Sequence, residues 1–113
     1  MLLRMSSEIR EPTYLVLTAL AGGRRHGYGV IRDVESISGG TIRLRAGTLY
    51  ATLDRLAADG LIEVAGEEVV DGRARRYYQL TDSGTVALAD ESRRRVVVSK
   101  EALRRLRLAG GLA

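Results

Sequence analysis

One segment, residues 47–62, combines a short helical pattern, an abrupt stop and the start of an extended run. Gly60 follows the last helical turn, where a residue in the left-handed conformation commonly ends a helix. Leu61-Ile62 then begins an apolar strand pattern. The helical stripe comes from three leucines that fall on one side: Leu49, Leu53 and Leu56. The segment therefore predicts a short helix that passes directly into a strand.

The face of this helix opposite the leucines is small. Six residues lie there, and three of them are Gly or Ala: Gly47, Thr48, Ala51, Asp54, Arg55 and Ala58. A helix that fits closely against another surface keeps such a face, and the major groove of DNA is one such surface. An amphipathic helix with an ordinary solvent face explains the same residues, so the segment alone leaves both interpretations open.

Two helices and a short strand are predicted before this segment. Pro12 suits the first turn of the first helix, because its missing N–H would have no intrahelical partner there, and residues 22–23 end that helix. A polar connection at residues 24–27 leads to a second helix at about residues 28–37. Residues 41–44 alternate between polar and apolar side chains and predict a short strand.

A hairpin is predicted directly after the helix that ends at Gly60. Residues 61–70 form the outgoing strand, with Ile62 and Val64 facing inward. Asp71-Gly72 is a strong hairpin turn signal, and residues 73–80 return.

A long last helix follows the hairpin. Thr81 is a good N-cap residue for a helix over residues 82–108. The predicted fold class is mainly α with a small β-hairpin, arranged as a winged helix-turn-helix plus a long C-terminal helix. The predicted divisions are an N-terminal segment 1–10, a winged-helix DNA-binding domain 11–81 and a C-terminal dimerisation helix 82–113.

Composition excludes several classes of function. The 113 residues contain no Cys and one His, so a cysteine or histidine metal site and a histidine-based catalytic triad are not expected. No segment resembles a phosphate-cradling glycine loop, and we expect neither enzyme activity nor a cofactor. No apolar run is long enough to cross a bilayer and no signal segment is evident, which predicts a soluble cytoplasmic protein without a membrane partner.

The distribution of charge gives only weak support for nucleic-acid binding. The formal net charge is +4, but six Arg and six acidic residues balance between Arg43 and Arg76. The surplus lies late, between Arg93 and Arg107. That cluster is typical of a solvated helix face, and a direct role with DNA or acidic lipid is the lesser alternative.

Fragments in a fixed order carry a family likeness between about Glu11 and Gly84. They are residues 11–17 (EPTYLVL), 26–28 (HGY), 47–50 (GTLY), Leu53, 55–56 (RL), 59–62 (DGLI) and 76–81 (RYYQLT). Together they resemble the PadR family of bacterial transcriptional regulators, in the form with a single C-terminal helix. The resemblance implies a winged-helix domain that binds double-stranded DNA, a homodimer formed through the C-terminal helix, and repression relieved by a small-molecule effector.

Within that resemblance, one set of side chains is expected to face DNA. On the recognition helix these are Thr48, Ala51, Thr52 and Arg55. Arg55 suits a base edge, because its planar guanidinium can address guanine, and Thr48 suits a phosphate. Alternatively, Arg55 pairs with Asp54 or Asp59 on a solvated face.

Two tyrosines and the hairpin supply the remaining DNA candidates. Tyr28 begins the second helix near the expected DNA backbone, while Tyr50 either reaches a phosphate or packs against the second helix. Beyond the hairpin tip, three arginines can reach phosphates or a minor groove: Arg73, Arg75 and Arg76. A solvated tip balanced by acids of the outgoing strand is the alternative. His26 is expected to be a structural turn residue.

The last helix carries a seam with a seven-residue repeat, suited to a partner helix: Ala89, Ser92, Val96, Ser99, Leu103 and Leu106. The alternative is a helix folded back on its own domain in a monomer. Flat ligands bound by aromatic stacking are not expected in the dimer, because Trp and Phe are absent. For the whole chain, the alternative function is a winged-helix protein-interaction module without DNA binding.

Overall fold

The computed structural model describes residues 9–111 of the chain. These form four helices and one three-stranded antiparallel sheet. The elements in chain order are α1 (Glu11–Ala21), β1 (Arg25–His26), α2 (Gly27–Ile37), α3 (Ala46–Ala58), β2 (Ile62–Val70), β3 (Arg73–Leu80) and α4 (Asp82–Leu108). This arrangement confirms the predicted fold class, a winged helix-turn-helix with a long C-terminal helix.

The hydrophobic core joins the three short helices to the base of the hairpin. Its fully or nearly buried members are Leu15, Val16, Leu17, Ala19, Leu20, Val30, Val34, Leu49, Leu53, Leu56, Ile62 and Tyr78. The predicted leucine stripe of α3 is therefore its core face. Burial of each such leucine contributes about 1.5–3 kcal/mol, so this stripe fixes which face of α3 points outward.

The short strand lies at a different place from the one predicted. Residues 41–44 are irregular, whereas Arg25 and His26 pair with Tyr78 and Tyr77 of β3. The irregular segment folds back on the end of α2, since the backbone N–H of Ile42 donates to the Ser38 hydroxyl at 3.0 Å. This local bond satisfies the backbone in place of a neighbouring strand. Alternation of polar and apolar residues does not by itself show whether such a strand is present.

The hairpin has the predicted turn but a bulge in its outgoing strand. Asp71 and Gly72 both have positive φ, 52° and 77°, as a two-residue hairpin turn requires. Val64 lies opposite the buried Tyr78, on the predicted inward face, but it is 49% exposed, so the core covers it only in part. The sheet order is β1-β3-β2, which leaves β2 at the edge, where the core covers Ile62 almost completely and Val64 only by about half.

Helix α4 begins docked against the body and ends exposed. The Thr81 hydroxyl accepts from the backbone N–H of Gly84 at 3.0 Å, as expected of an N-cap residue. A Cβ at Gly84 would overlap the carbonyl oxygen of Leu61, so the first turn of α4 lies directly on that backbone. Beyond Arg95 nearly every residue of the helix is exposed. Of the predicted N-terminal segment, residues 1–8 lie outside the described residues.

Candidate nucleic-acid interface

The outward face of α3 is exposed and consists mostly of small side chains. Gly47, Thr48, Ala51 and Ala58 are all exposed on it. A Cβ at Gly47 would meet no atom of residues 9–111 within 4 Å, so the described part of the chain leaves open space at that position. Another molecule can therefore approach the backbone of α3 closely near its N-terminus.

Thr52 does not share that exposed face. It is 8% exposed and lies on the core side of α3 with Leu49 and Leu53. The predicted position of Thr52 towards a groove is therefore wrong. One hundred degrees per residue places position 52 beside the leucine stripe, which is wide enough in the folded protein to include a threonine.

Arg55 reaches away from the acids beside it. Its Nη2 donates to the Thr13 hydroxyl at 3.1 Å, which joins the end of α3 to the start of α1. Within residues 9–111, neither Asp54 nor Asp59 forms an ion pair with it. A guanidinium carries five N–H donors, so a single bond to a neutral hydroxyl leaves most of them available.

The two candidate tyrosines lie at the N-terminus of α2. Tyr50 packs its hydroxyl against the backbone of Gly27, where a Cβ would collide with it, and yet it remains 48% exposed. Tyr50 therefore packs on α2 and also remains half exposed. Tyr28 is 62% exposed, and the guanidinium of Arg32 lies 5.7 Å from its ring centre.

His26 caps α2, in agreement with the expected structural role. Its Nδ1 accepts from the backbone N–H of Gly29 at 3.1 Å. Burial lowers the pKa of His26, and the positive charge of Arg75 lowers it further, whereas Glu68 acts in the opposite sense. The lowered pKa favours the neutral ring, which is the form that can accept this bond.

The three arginines of the hairpin differ in their surroundings. Arg76 pairs with Glu67 at 3.0 Å, so its charge is matched within the hairpin. Arg73 is exposed and Arg75 is half-buried, and no carboxylate of the described chain forms an ion pair with either. The Glu68 carboxylate accepts from the Tyr77 hydroxyl. Arg73 and Arg75 are thus the two hairpin arginines that form no ion pair within residues 9–111.

Arg45 is a candidate that the sequence reasoning missed. It is the N-cap residue of α3, it is exposed, and its side chain makes no capping bond. It lies next to the exposed Gly47 and Thr48, where phosphate contacts to a recognition helix are common. The signal was an arginine directly before a helix start, which the predicted strand at residues 41–44 obscured.

The predicted seam of α4 is divided between two environments. Ser92 shares a hydrogen bond of 2.8 Å with the Tyr14 hydroxyl of α1, and Ala89 is half-buried, so these two positions lie against the chain's own body. The other four are exposed: Val96, Ser99, Leu103 and Leu106. Only the second half of the seam is therefore open to a partner helix.

The basic cluster of α4 is largely paired within the helix. Arg94 and Arg95 bind Glu91, and Arg104 and Arg105 bind Glu101, all at three- or four-residue spacing. This pairing favours the predicted solvated helix face over a free basic patch. Among the described residues, no helix has both the length and the apolar character needed to cross a bilayer.

Known proteins share this arrangement. Over 61 residues the chain is 49% identical to Transcriptional regulator Rv3488 of Mycobacterium tuberculosis, a match that spans 54% of this chain and 56% of that protein. The chain thus matches little more than half the length of that relative. A PadR-like transcriptional regulator from Bacillus cereus superposes with a TM-score of 0.70 at 22% identity, covering 84% of this chain and 90% of that one.

A second solved relative contains DNA. Bacillus subtilis PadR in complex with operator DNA superposes with a TM-score of 0.64 at 26% identity, over 72% of this chain and 46% of that chain. The model of the transcriptional regulator PadR-like family matches residues 16–90, which run from the core of α1 into the docked half of α4. This chain belongs to the PadR-like family of transcriptional regulators.

Proposed function

We propose that the chain is a sequence-specific DNA-binding regulator, which acts as a homodimeric repressor released by a small-molecule effector. The observation that carries the proposal is the exposed face of α3, which consists mostly of small side chains and is held outward by the buried leucines on the other side. The relative from Bacillus subtilis that was solved with operator DNA has the same fold, which supports the proposal.

The exposed residues divide between reading bases and holding the backbone. Ala51 offers a methyl group to thymine, and Arg55 offers its remaining donors to guanine. Thr48 and Tyr28 suit phosphates. Tyr50 adds a half-exposed side chain, and Arg73 and Arg75 extend the contact to the flanking groove. Arg76 contributes less, because Glu67 already neutralises it.

The exposed half of α4 supplies the proposed dimer contact. Val96, Leu103 and Leu106 are 51%, 44% and 48% exposed, and they lie on one seam of the helix. A second copy that covers them would place two recognition helices on two half-sites, as this motif class usually requires.

The first prediction concerns DNA binding. A mobility-shift series with DNA from upstream of the protein's own gene should show selective binding that weakens steeply with salt. Arg55→Ala should relax sequence preference, whereas Arg73→Ala should weaken all sequences alike and reduce the salt slope by about 1. Arg107→Ala, at the far end of α4, is the control with the same change of charge and should bind like the wild type.

Absence of selective binding at moderate salt would overturn this function. The protein-interaction module would then be favoured, because the six acids between Arg43 and Arg76 balance the six arginines there and leave that region without net positive charge.

The second prediction concerns assembly. Light scattering should show a dimer at tens of micromolar, and Leu103→Arg should shift it towards monomer. Val97→Arg, on another side of the same exposed half, should leave the dimer intact. A wild-type monomer, or equal effects of the two variants, would contradict the proposed seam. A reporter assay then tests repression, and a thermal-shift screen of phenolic and drug-like compounds tests release.

A further inference from the structure

The bulge in β2 is held by a side chain from outside the hairpin. Pairing passes from Val64 opposite Tyr78 to Gly66 opposite Tyr77, so Ala65 has no partner in β3. The Ala65 carbonyl instead accepts a hydrogen bond of 3.1 Å from Nη1 of Arg24. Bulges bend a strand and redirect what lies beyond them, and here that is the tip of the hairpin.

Arg24 crosses the whole sheet to make that contact. It precedes β1, and its guanidinium lies 4.6 Å from the centre of the Tyr77 ring on β3 before it reaches β2. Gly66 leaves room for it, because a Cβ there would lie 3.0 Å from Arg24 Nη1. One side chain thus bridges the three strands at the level of the bulge.

The same ring connects the hairpin to the helices. His26, the N-cap of α2, meets Tyr77 edge to face, with ring centres 5.4 Å apart and an angle of 78°. Helix α2 packs against α3, so the path from Arg24 through Tyr77 and His26 links the base of the hairpin to the helix pair that carries the exposed α3 face.

We infer that Arg24 is a positioning residue that fixes the angle of the hairpin relative to α3, and thereby places Arg73 on the DNA. This inference rests on the proposed function. Arg24 is itself exposed and positively charged, so direct contact with a phosphate is the competing role. The two roles differ in what they predict when DNA is absent.

Hydrogen–deuterium exchange on the free protein separates these roles. Arg24→Ala removes one hydrogen bond and one stacking contact, and it should speed exchange across residues 65–78 by about five- to thirtyfold. Exchange in α3 should stay unchanged. Tyr77→Leu removes the stacking surface but keeps every arginine, and it should loosen the same segment. Unchanged exchange in both variants would overturn the inference.

A double-mutant comparison supplies the second readout. Once Arg73→Ala has removed the tip contact, Arg24→Ala should weaken DNA binding much less than it does in the wild type, because the two residues act through one contact. Losses that simply multiply would assign Arg24 to a phosphate and overturn the inference. A wild-type protein without selective binding would instead overturn the proposed function, and the exchange comparison alone would then decide whether Arg24 holds the hairpin.

Discussion

Two stretches of α4 carry the same pattern, a glutamate followed by arginines three and four residues later, in different surroundings. The shortest contacts from Glu91 are 2.6 and 2.7 Å, and both of those from Glu101 are 2.7 Å. The Glu91 side chain is 3% exposed, whereas that of Glu101 is 41% exposed. Arg95 also lies 4.0 Å from the Tyr14 ring centre and donates to the Ile9 carbonyl at 3.0 Å.

The difference shows that local spacing sets the geometry of an ion pair, while the surroundings set how much the pair contributes to the free energy of unfolding. A helix aligns side chains three and four residues apart wherever the pattern occurs. Exposed pairs of this kind contribute little to stability, but removing one partner of a buried pair leaves a desolvated charge. The cluster at Glu91 therefore attaches α4 to α1. The pairs at Glu101 lie on the solvent-exposed half of α4 and contribute little to stability.

The largest expected effect comes from undocking the first half of α4. Gly84→Ala should lower the free energy of unfolding by about 3 kcal/mol or more, because the new Cβ overlaps the Leu61 carbonyl and that backbone cannot move away. Helix propensity alone would favour Ala by about 1 kcal/mol, so the sign of the change decides which effect dominates. Urea denaturation measures it, with the exposed Ser83→Ala as the control. A stabilised Gly84→Ala would disprove the close contact.

Neutralising each glutamate tests the comparison directly. Glu91→Gln should lower the free energy of unfolding by about 1–3 kcal/mol, because Arg94 and Arg95 lose a buried charged partner. Glu101→Gln removes the same pattern from an exposed site and should leave the urea midpoint indistinguishable from the wild type. Equal effects of the two variants would show that tertiary surroundings do not distinguish the clusters.

The smallest of the three expected effects is a difference in acid sensitivity between the wild type and Glu91→Gln. Hydrogen bonds from Arg94, and then from Arg95, hold the pKa of Glu91 below its ordinary value of 4.5, although burial opposes them. The unfolded chain then binds the proton first, so this stabilisation is complete above pH 4.5 and is lost as the pH falls through the folded pKa. Urea midpoints measured between pH 6 and about 3 should fall less in Glu91→Gln than in the wild type. Parallel curves would contradict the assignment.

Local signals in the sequence predicted much of this fold. The bounds of α4, the Thr81 cap and the Asp71-Gly72 turn depend on residues close together in the chain, and each prediction is confirmed. The leucine stripe of α3 also follows from helical spacing alone. These features need no knowledge of what packs against them.

The sequence could not identify the partners of residues that meet across the fold. Thr52 is buried because neighbouring elements close over its side of α3, and Ser92 is engaged because Tyr14 lies opposite it. The strand at Arg25–His26 exists because β3 offers an edge to it. For the same reason Arg24 looked like part of a polar connection, since its contacts lie 41 residues or more away.

The anchored first half of α4 and its free second half form a lever. Thirteen residues beyond Arg95 extend the helix by about 20 Å, in a molecule with axial extents of 59 × 37 × 21 Å. Tilting α4 by about 10° about Arg95 moves its far end by about 3 Å, given that rise per residue. A force applied at Leu108 therefore exerts a torque on the docked half of α4, where the helix contacts Tyr14 and the start of α1.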